Sequence, residues 1–226
     1  MIFFFFFIGG YCLPKDGGLG VWANQHILGF EDDTFKITPM AIDINDTRSL
    51  HAAQLVRDAL RNMSLPIASA EVLILGASYR EDVGDTRYSG SEILIRRLTE
   101  MGAEIRVHDP YVDSWFEFEN QEDDPGSKSV FFRNQKKLRD LRVQKDLNKA
   151  MKNIDALVLA VRHEAYLNLD PARIVKAAGH PIAVIDCFGI LDDDRIRHYL
   201  ALGCEVKGLG RGHIKRLKDQ VSKKKS

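Results

Sequence analysis

The amino-acid sequence predicts an α/β fold in which short parallel strands alternate with helices. The first observation is VLILG at residues 72–76, an apolar run that is typical of a strand buried on both faces. The second is the helical spacing of apolar side chains in residues 89–101, with charges on the opposite side. The third is the alternating pattern of residues 104–108, a second strand. Strand, helix and strand with short links form a right-handed βαβ unit in a parallel sheet.

The other elements are predicted from the same kinds of signal. Helical patterns cover residues 21–28 and 49–62, and Asp46 or Thr47 is suited to cap the second of them. Gly102 is expected to end the helix of the βαβ unit in the left-handed conformation. Further strands are predicted at residues 154–161, 182–186 and 205–208, and further helical segments at 147–151, 171–179 and 192–202.

The composition is that of an ordinary soluble protein. At 226 residues, the chain can bury a full core in one large or two small domains. Lysine plus arginine and aspartate plus glutamate number 32 each, so the overall charge gives no argument for nucleic acid or a membrane. Three cysteines at unrelated spacings favour a reducing cytoplasm over a disulfide framework. Cys187 and Cys204 lie in apolar runs and are expected to be buried.

The amino terminus contains IFFFFFI at residues 2–8, which is far shorter than the ~20 residues that span a bilayer. It also lacks the basic region and the cleavage site of a signal peptide. We expect a buried strand or a wrongly chosen start of the chain, with an interfacial anchor as the lesser alternative. If exposed, such a segment would promote aggregation.

A glycine-rich loop, GGYCLPKDGGLG at residues 9–20, contains the third cysteine. Paired glycines such as Gly9 allow the backbone to turn tightly beside a ligand. Lys15 and Asp16 bring opposite charges close to Cys12, and a nearby ammonium group favours the nucleophilic thiolate. Taken alone, the pattern indicates a turn that contains a cysteine rather than a nucleophile.

The turn at residues 77–89, between the first strand and its helix, is the predicted ligand-binding edge. Ligands of parallel sheets sit at the carboxyl ends of the strands. The turn carries Arg80, Asp85 and Arg87, a composition suited to a phosphorylated ligand. For each arginine, the alternative is a solvated surface side chain.

Four segments in the same order resemble the UDP-glucose/GDP-mannose dehydrogenase family, the NAD-dependent nucleotide-sugar dehydrogenases. GGYCLPKD at residues 9–16 resembles the catalytic-cysteine loop, and NDTRSLHAAQLVRDAL at 45–60 resembles the helix that follows it. LGASYREDVGDTRYS at 75–89 resembles the nucleotide-binding turn, and residues 186–212, which end in KGLGRG, resemble the closing strand and its turn. The branch that acts on UDP-N-acetylhexosamines is the most similar.

The resemblance implies a Rossmann-like parallel sheet, a UDP-binding domain, preceded by a helical dimerisation segment. Residues 1–67 would hold the cysteine loop and the dimerising helices, and residues 68–213 the UDP-binding domain. Residues 111–146 depart from the family pattern as a charged insertion, where relatives usually have a shorter link, and residues 214–226 are predicted to form a basic tail. Homodimerisation, a UDP-sugar substrate and a cytoplasmic location are implied, with no nucleic acid, metal or membrane span.

The resemblance also implies a chemistry in which a sugar CH2OH is oxidised to a carboxylate by two hydride transfers to NAD. Cys12 would add to the intermediate aldehyde, giving a thiohemiacetal and then a thioester, so that the reacting carbon stays in place. Asp16 would position or deprotonate the water that opens the thioester. Lys15 and Arg87 match positions on the cofactor side.

Substrate contacts are implied at Gly9, Tyr79, Arg80 and Arg211. Tyr79 and Arg80 match positions that contact the nucleotide part, although the second of these is usually lysine. Arginine keeps the charge and adds a planar fork that suits phosphate. Arg211 lies in a Gly-Arg-Gly turn, a common pattern, so a surface side chain is an equal alternative.

The family's dinucleotide motif, G-x-G-x-x-G after a strand, does not occur in this sequence. LILGAS at residues 73–78 has one glycine in the turn, too few for close approach of a pyrophosphate. The chain therefore resembles the carboxyl-terminal half of such an enzyme, and we expect no turnover by this chain alone. The alternative is a non-catalytic UDP-binding or dimerisation module left by truncation.

Several segments stay open or lie outside the family pattern. The acidic residues 117–124 and the basic residues 131–145 predict a surface excursion with a hairpin and an exposed helix. The position of His163 after a strand is compatible with a ligand contact and favours a hydrogen-bonded structural side chain. The apolar stripe of the helix at 49–62 belongs to a dimer interface or to the core. Residues 215–226 are predicted to be disordered.

Overall fold

The computed structural model describes residues 6–30, 35–121 and 135–225. Its centre is a six-stranded sheet in the order β3-β2-β1-β4-β5-β6, and all the strand pairs are parallel. The predicted α/β class and βαβ unit are therefore confirmed. The strands are β1 (Glu71–Leu75), β2 (Glu104–His108), β3 (Val143–Gln144), β4 (Ala156–Leu159), β5 (Ala183–Asp186) and β6 (Glu205–Gly208).

Helices cover both faces of this sheet, because alternate strand residues point to opposite sides. Val72 and Ile74 pack into one hydrophobic cluster, whereas Leu73 and Leu75 pack into the other. The helices are α1 (Cys12–His26), α2 (Ile37–Asn62), α3 (Gly90–Glu100), α4 (Phe116–Glu119), α5 (Leu147–Ala150), α6 (Pro171–Ala178), α7 (Asp193–Ala201) and α8 (Ile214–Lys225). Among these helices, none combines the length and apolar character that a membrane crossing requires.

The carboxyl ends of the central strands lie side by side. Leu75 pairs with both His108 and Leu159, and Leu159 pairs with Asp186. The chain order reverses between β1 and β4, which is the position where open α/β sheets bind ligands. The loops after β1, β2, β4 and β5 therefore meet at a single edge.

The two amino-terminal helices begin earlier than predicted. Helix α1 starts at Cys12, so most of the glycine-rich loop is helical, and α2 starts at Ile37. Pro14 and Pro39 each stand in a first helical turn, where a proline is tolerated because its backbone nitrogen needs no intrahelical bond. The predicted cap at Asp46 or Thr47 is wrong: both lie inside α2.

The apolar stripe of α2 belongs to the core. Val56 and Leu60 are fully buried, and Leu55 and Met63 pack against the same cluster, which includes side chains of β1 and α3. Of the amino-terminal aromatic run, Phe6 and Phe7 are buried but not in a strand, and residues 1–5 lie outside the described part of the chain.

The prediction of a disordered tail is wrong, because residues 214–225 form α8. Ile214 and Leu217 are 5% and 1% exposed, and the half-buried Val221 packs against the same cluster. These three residues fall on one face of a helix, and the basic side chains between them, Lys215, Arg216 and Lys218, are exposed. The high charge of the segment masked this pattern in the sequence.

The predicted surface excursion at residues 111–146 is also wrong for the residues described. Trp115 and Phe118 are 1% and 0% exposed, so the acidic segment contains two core side chains. The basic segment ends in β3, which pairs with β2 at the edge of the sheet. Residues 122–134 lie outside the described residues.

Candidate functional site

The turn after β1 crosses directly over the edge of the sheet. Gly76 has φ +111°, and a Cβ there would lie 2.4 Å from the Cβ of Val161. Any other residue would therefore be strained and would collide with Val161, two residues beyond the end of β4. The close approach directs residues 77–89 across the point where the strand order reverses.

Asp109 holds the start of this turn from the end of β2. Its fully buried carboxylate accepts hydrogen bonds from the backbone N–H groups of Ala77 at 2.7 Å and Ser78 at 3.2 Å. The other oxygen accepts from the N–H of Tyr111 at 2.8 Å. Burial raises the pKa of Asp109, but the hydrogen bonds from His163 and these backbone groups outweigh burial and lower the pKa to about 2.

His163, which follows β4, completes this buried network. Its Nδ1 accepts from the N–H of Asp82 at 2.9 Å, so Nε2 carries the proton and donates to Asp109 at 3.0 Å. Ser78 lies 3.2 Å from Nε2 but donates its own proton to the carbonyl of Arg80. The arrangement is not a nucleophilic triad, and His163 has the structural role that its sequence context favoured.

The second half of the turn carries the Asp85–Arg87 pair. The Arg87 guanidinium donates to both carboxylate oxygens of Asp85, with Nε at 3.0 Å from Oδ1 and Nη2 at 2.6 Å from Oδ2. The hydrogen bond from Arg87 lowers the pKa of Asp85. The turn then ends at Ser89, whose hydroxyl oxygen accepts from the N–H of Ser91 and caps α3.

The cysteine loop is fixed against this turn by backbone contacts. The N–H of Gly10 donates to the carbonyl of Arg87 at 3.1 Å. The side chain of Asn45, on α2, exchanges two hydrogen bonds with the backbone of Ile8. Gly9 fits closely, because a Cβ there would lie 2.4 Å from the carbonyl oxygen of Tyr88. The loop therefore places Cys12, the first residue of α1, beside the turn.

Loop and turn together line one open cleft of about 740 Å³. Five of the predicted site residues share this cleft, and the Cys12 thiol is exposed. Their roles in binding and catalysis stay predictions. The five residues are Gly9, Cys12, Tyr79, Arg80 and Arg87.

Lys15 and Asp16 lie beside the cleft rather than in its lining. The Lys15 ammonium is 3.2 Å from the Asp16 carboxylate, and that hydrogen bond raises the pKa of Lys15. The ammonium group also lies 4.5 Å from the centre of the Tyr11 ring, which the guanidinium carbon of Arg87 approaches at 5.3 Å. Two cations therefore contact a tyrosine next to the exposed thiol.

Arg211 is the predicted substrate contact that the structure places elsewhere. Its guanidinium pairs with the buried carboxylate of Asp186 and donates to the carbonyl of Leu191 at 2.6 Å. The side chain is 14% exposed and is absent from the cleft lining. In this geometry Arg211 joins the ends of β5 and β6, so it is not the solvated surface side chain of the alternative, and its contact with a substrate stays a prediction.

Sequence reasoning missed one side chain of the cleft lining and one contact that holds the turn. Phe188 lies in its lining and contacts Phe6 edge to face, with ring centres 6.3 Å apart. Its only signal was a position two residues beyond the strand end at Asp186. Thr86 bonds to Glu117 of α4 at 2.7 Å, and no sequence pattern connects residues so far apart.

The class of protein follows from this geometry. A parallel sheet in this strand order, with loops from several strand ends lining a cleft at the reversal point, is a Rossmann-like nucleotide-binding domain. Residues 73–193 match the UDP-binding domain of the UDP-glucose/GDP-mannose dehydrogenase family. The chain belongs to this family.

Curated relatives extend the similarity to most of the chain. It is 25% identical to UDP-N-acetyl-D-mannosamine dehydrogenase of Pyrococcus horikoshii over 92% of this chain and 40% of that protein. It is 26% identical to UDP-glucose 6-dehydrogenase of Drosophila melanogaster over 90% of this chain and 40% of that protein. The chain thus spans about 40% of the length of these relatives, and it corresponds to their carboxyl-terminal half.

A solved structure agrees with this assignment. The NDP-N-acetyl-D-galactosaminuronic acid dehydrogenase of Methanosarcina mazei superposes with a TM-score of 0.75 at 26% identity. The similarity covers 92% of this chain and 40% of that one. Because the relatives differ in the sugar that they are named for, the predicted UDP-N-acetylhexosamine branch stays a prediction.

The turn after β1 does not fit the pyrophosphate of a dinucleotide. In a dinucleotide-binding turn, free backbone N–H groups face the phosphates. Here the N–H groups of Ala77 and Ser78 already donate to the Asp109 carboxylate, whose negative charge would repel a phosphate.

Within the described residues, no group of three or more histidine, cysteine, aspartate or glutamate side chains is arranged to hold a metal ion.

Proposed function

We propose that this chain is the substrate-binding, carboxyl-terminal part of an NAD-dependent UDP-sugar 6-dehydrogenase. The whole enzyme would oxidise the 6-hydroxymethyl group of a UDP-sugar to a uronate. The observation that carries the proposal is the shared cleft, in which an exposed thiol lies beside a tyrosine and two guanidinium groups. The turn after β1 does not fit NAD, which is the hydride acceptor of this family, so no residue of that turn is assigned to holding NAD.

Arg80 and Tyr79 are the proposed contacts for the nucleoside diphosphate. The Arg80 side chain is exposed at the cleft and makes no ion pair with the described residues. Its planar fork is thus available for a diphosphate, with which it can form paired, charge-assisted hydrogen bonds. The charge of Arg87 is already neutralised by Asp85, so Arg87 is less available for a diphosphate than Arg80. Because Arg87 and Lys15 contact the same Tyr11 ring, we place both at the cofactor side of the cleft.

Cys12 is the proposed nucleophile. Its sulfur would add to the carbonyl carbon of the C6 aldehyde, with the thiol proton passing to the carbonyl oxygen, and the resulting thiohemiacetal would hold this carbon in the cleft. The thiohemiacetal must lose a hydride to the acceptor of the whole enzyme to become a thioester, which water then hydrolyses to the acid and the free thiol. Asp16, which is exposed on the same helical turn, would orient that water. A reactive aldehyde would otherwise escape or become hydrated.

We also propose that the whole enzyme is a cytoplasmic homodimer. The outer faces of α1 and α2 expose large apolar side chains, including Trp22 at 51%, Ile37 at 82% and Met40 at 63%. Such a surface favours burial against another protein surface, here a second copy. All three cysteines are free, which is compatible with a reducing compartment.

Calorimetric titration of the purified 226-residue chain with UDP tests the proposal. We expect binding by the wild type and at least a tenfold weaker affinity in Gly9→Ala, whose Cβ would displace the cysteine loop from Tyr79 and Tyr88. Gly18→Ala is the matched control, because a Cβ at this α1 position meets open space.

Three outcomes would contradict the proposal or the expectations that accompany it. Absence of UDP binding by the folded wild type would remove the UDP-sugar function altogether. NADH formation by the purified chain with a UDP-sugar would overturn the expectation that this chain does not turn over alone. The third outcome is a chain that binds UDP but whose Cys12 is not alkylated, with or without UDP-sugar. This result would favour the non-catalytic module.

A further inference from the structure

A hydrogen bond joins the acidic helix α4 to the turn that lines the cleft. The hydroxyl of Thr86, which is 8% exposed, donates to Oε2 of Glu117 at 2.7 Å. The two residues come from different segments, one between β1 and α3 and the other after β2. The contact is thus a tertiary link into the turn that carries Arg87.

The backbone of α4 is held firmly by the core. Trp115 and Phe118 are buried on either side of Glu117, with ring centres 4.7 Å apart. Phe118 also contacts the buried Arg96, whose guanidinium carbon is 5.0 Å from the centre of the Phe118 ring. Arg96 also pairs with the buried Glu92 at 2.6 Å. Glu117 therefore extends from a helix whose position is fixed independently of the cleft.

Thr86 occupies the middle of the cleft-lining turn. The residue before it, Asp85, accepts the N–H of Tyr79 with its backbone carbonyl at 2.9 Å. The residue after it, Arg87, accepts the N–H of Gly10 with its backbone carbonyl at 3.1 Å. A displacement of Thr86 would thus move Tyr79 on one side and the cysteine loop on the other.

We propose that Glu117 is a positioning residue for the UDP-sugar cleft, which it orders through Thr86 without touching the ligand. The inference rests on the proposed function and adds a residue to it that the sequence motifs do not contain. Fixing the turn in advance reduces the ordering cost on binding, so the contact acts on the affinity for the nucleotide.

Four variants and one control separate this role from simple packing. In Glu117→Ala and Thr86→Val, which remove one partner each, we expect UDP to bind about fivefold more weakly, as for the loss of one hydrogen bond. Glu117→Gln keeps an acceptor oxygen and Thr86→Ser keeps the hydroxyl, so both should retain the wild-type dissociation constant. Glu119→Ala removes the same charge from an exposed position on α4 and should change nothing.

The double variant Thr86→Val/Glu117→Ala should bind UDP no more weakly than either single variant, because both remove the same contact. All measurements are made well below the thermal midpoint of each variant, so that a change in stability alone leaves the dissociation constant unmoved. Equal UDP affinities in wild type, Glu117→Ala and Thr86→Val would overturn the inference and leave the proposed function intact. A wild type that is folded but does not bind UDP would overturn both.

Discussion

Two cavities of similar size lie on opposite edges of the sheet. The cleft at the carboxyl ends of the strands has about 740 Å³, and a crevice at the amino ends of β4, β5 and β6 has about 680 Å³. Each contains a cysteine, Cys12 in the cleft and Cys204 in the crevice. Volume alone therefore does not distinguish a candidate site from a packing defect.

The difference between them lies in the polar groups that are left for a ligand. In the crevice, Glu205 accepts from Asn62 at 2.7 Å and pairs with Lys218. Cys204 is 5% exposed, and burial raises the pKa of its thiol. In the cleft, the thiol is exposed and Arg80 makes no ion pair with the described residues. The candidate site is thus distinguished by an exposed thiol and by an arginine whose hydrogen-bond donors are available to a ligand.

The largest expected contrast is in cysteine alkylation. Iodoacetamide should modify Cys12 in the native protein, whereas Cys204 should react at least about a hundredfold more slowly, because its thiol becomes accessible only when the structure opens. Mass spectrometry of timed samples gives both rates, with Cys12→Ser as the control for the remaining sites. UDP-sugar should slow the reaction of Cys12 only. Similar rates at the two cysteines would remove the distinction between the cavities.

The next contrast is in stability. Asp109→Asn should lower the free energy of unfolding by about 3 kcal/mol, because an amide cannot accept every bond that the buried carboxylate accepts. Lys218→Ala, which removes an ion pair at the crevice, should cost about 1 kcal/mol or less, because this ammonium group is largely solvated. Denaturant titration at neutral pH measures both, and equal losses would contradict the contrast.

The free energy of unfolding should depend on acid pH because of Asp109. The pKa of Asp109 falls from 3.8 to about 2 on folding, so its contribution is complete above pH 3.8 and is lost as the pH falls through about 2. The contribution is about 2 kcal/mol on that shift. In Asp109→Asn, this part of the acid dependence should be missing from the unfolding curves.

The smallest contrast is in affinity. Arg80→Ala should weaken UDP binding about tenfold, since it would remove the proposed charge-assisted contact to the diphosphate. Lys218→Ala, the matched loss of a cation at the crevice, should leave UDP affinity unchanged. Calorimetry on both variants measures the difference. If Lys218→Ala were the weaker binder, the crevice and not the cleft would be the nucleotide site.

Much of the fold and part of the candidate site were predictable from local sequence. A buried parallel strand must be apolar on both faces, so runs such as residues 72–76 identify themselves. Gly102 was expected to end a helix in the left-handed conformation, and its φ is positive. The cysteine loop and the arginine turn were recognisable because their residue types and order resemble those of a family.

The sequence by itself therefore determined most of the strands and helices and which reactive side chains the chain contains. Only the tertiary structure decided which of these groups meet: Arg211 pairs with Asp186 instead of lining the cleft, and Glu117 reaches Thr86. It also decided that Phe118 and Leu217, in strongly charged segments, are core residues. The physical reason is that local pattern fixes backbone conformation, whereas pairing and burial depend on which distant segments meet at an edge of the sheet.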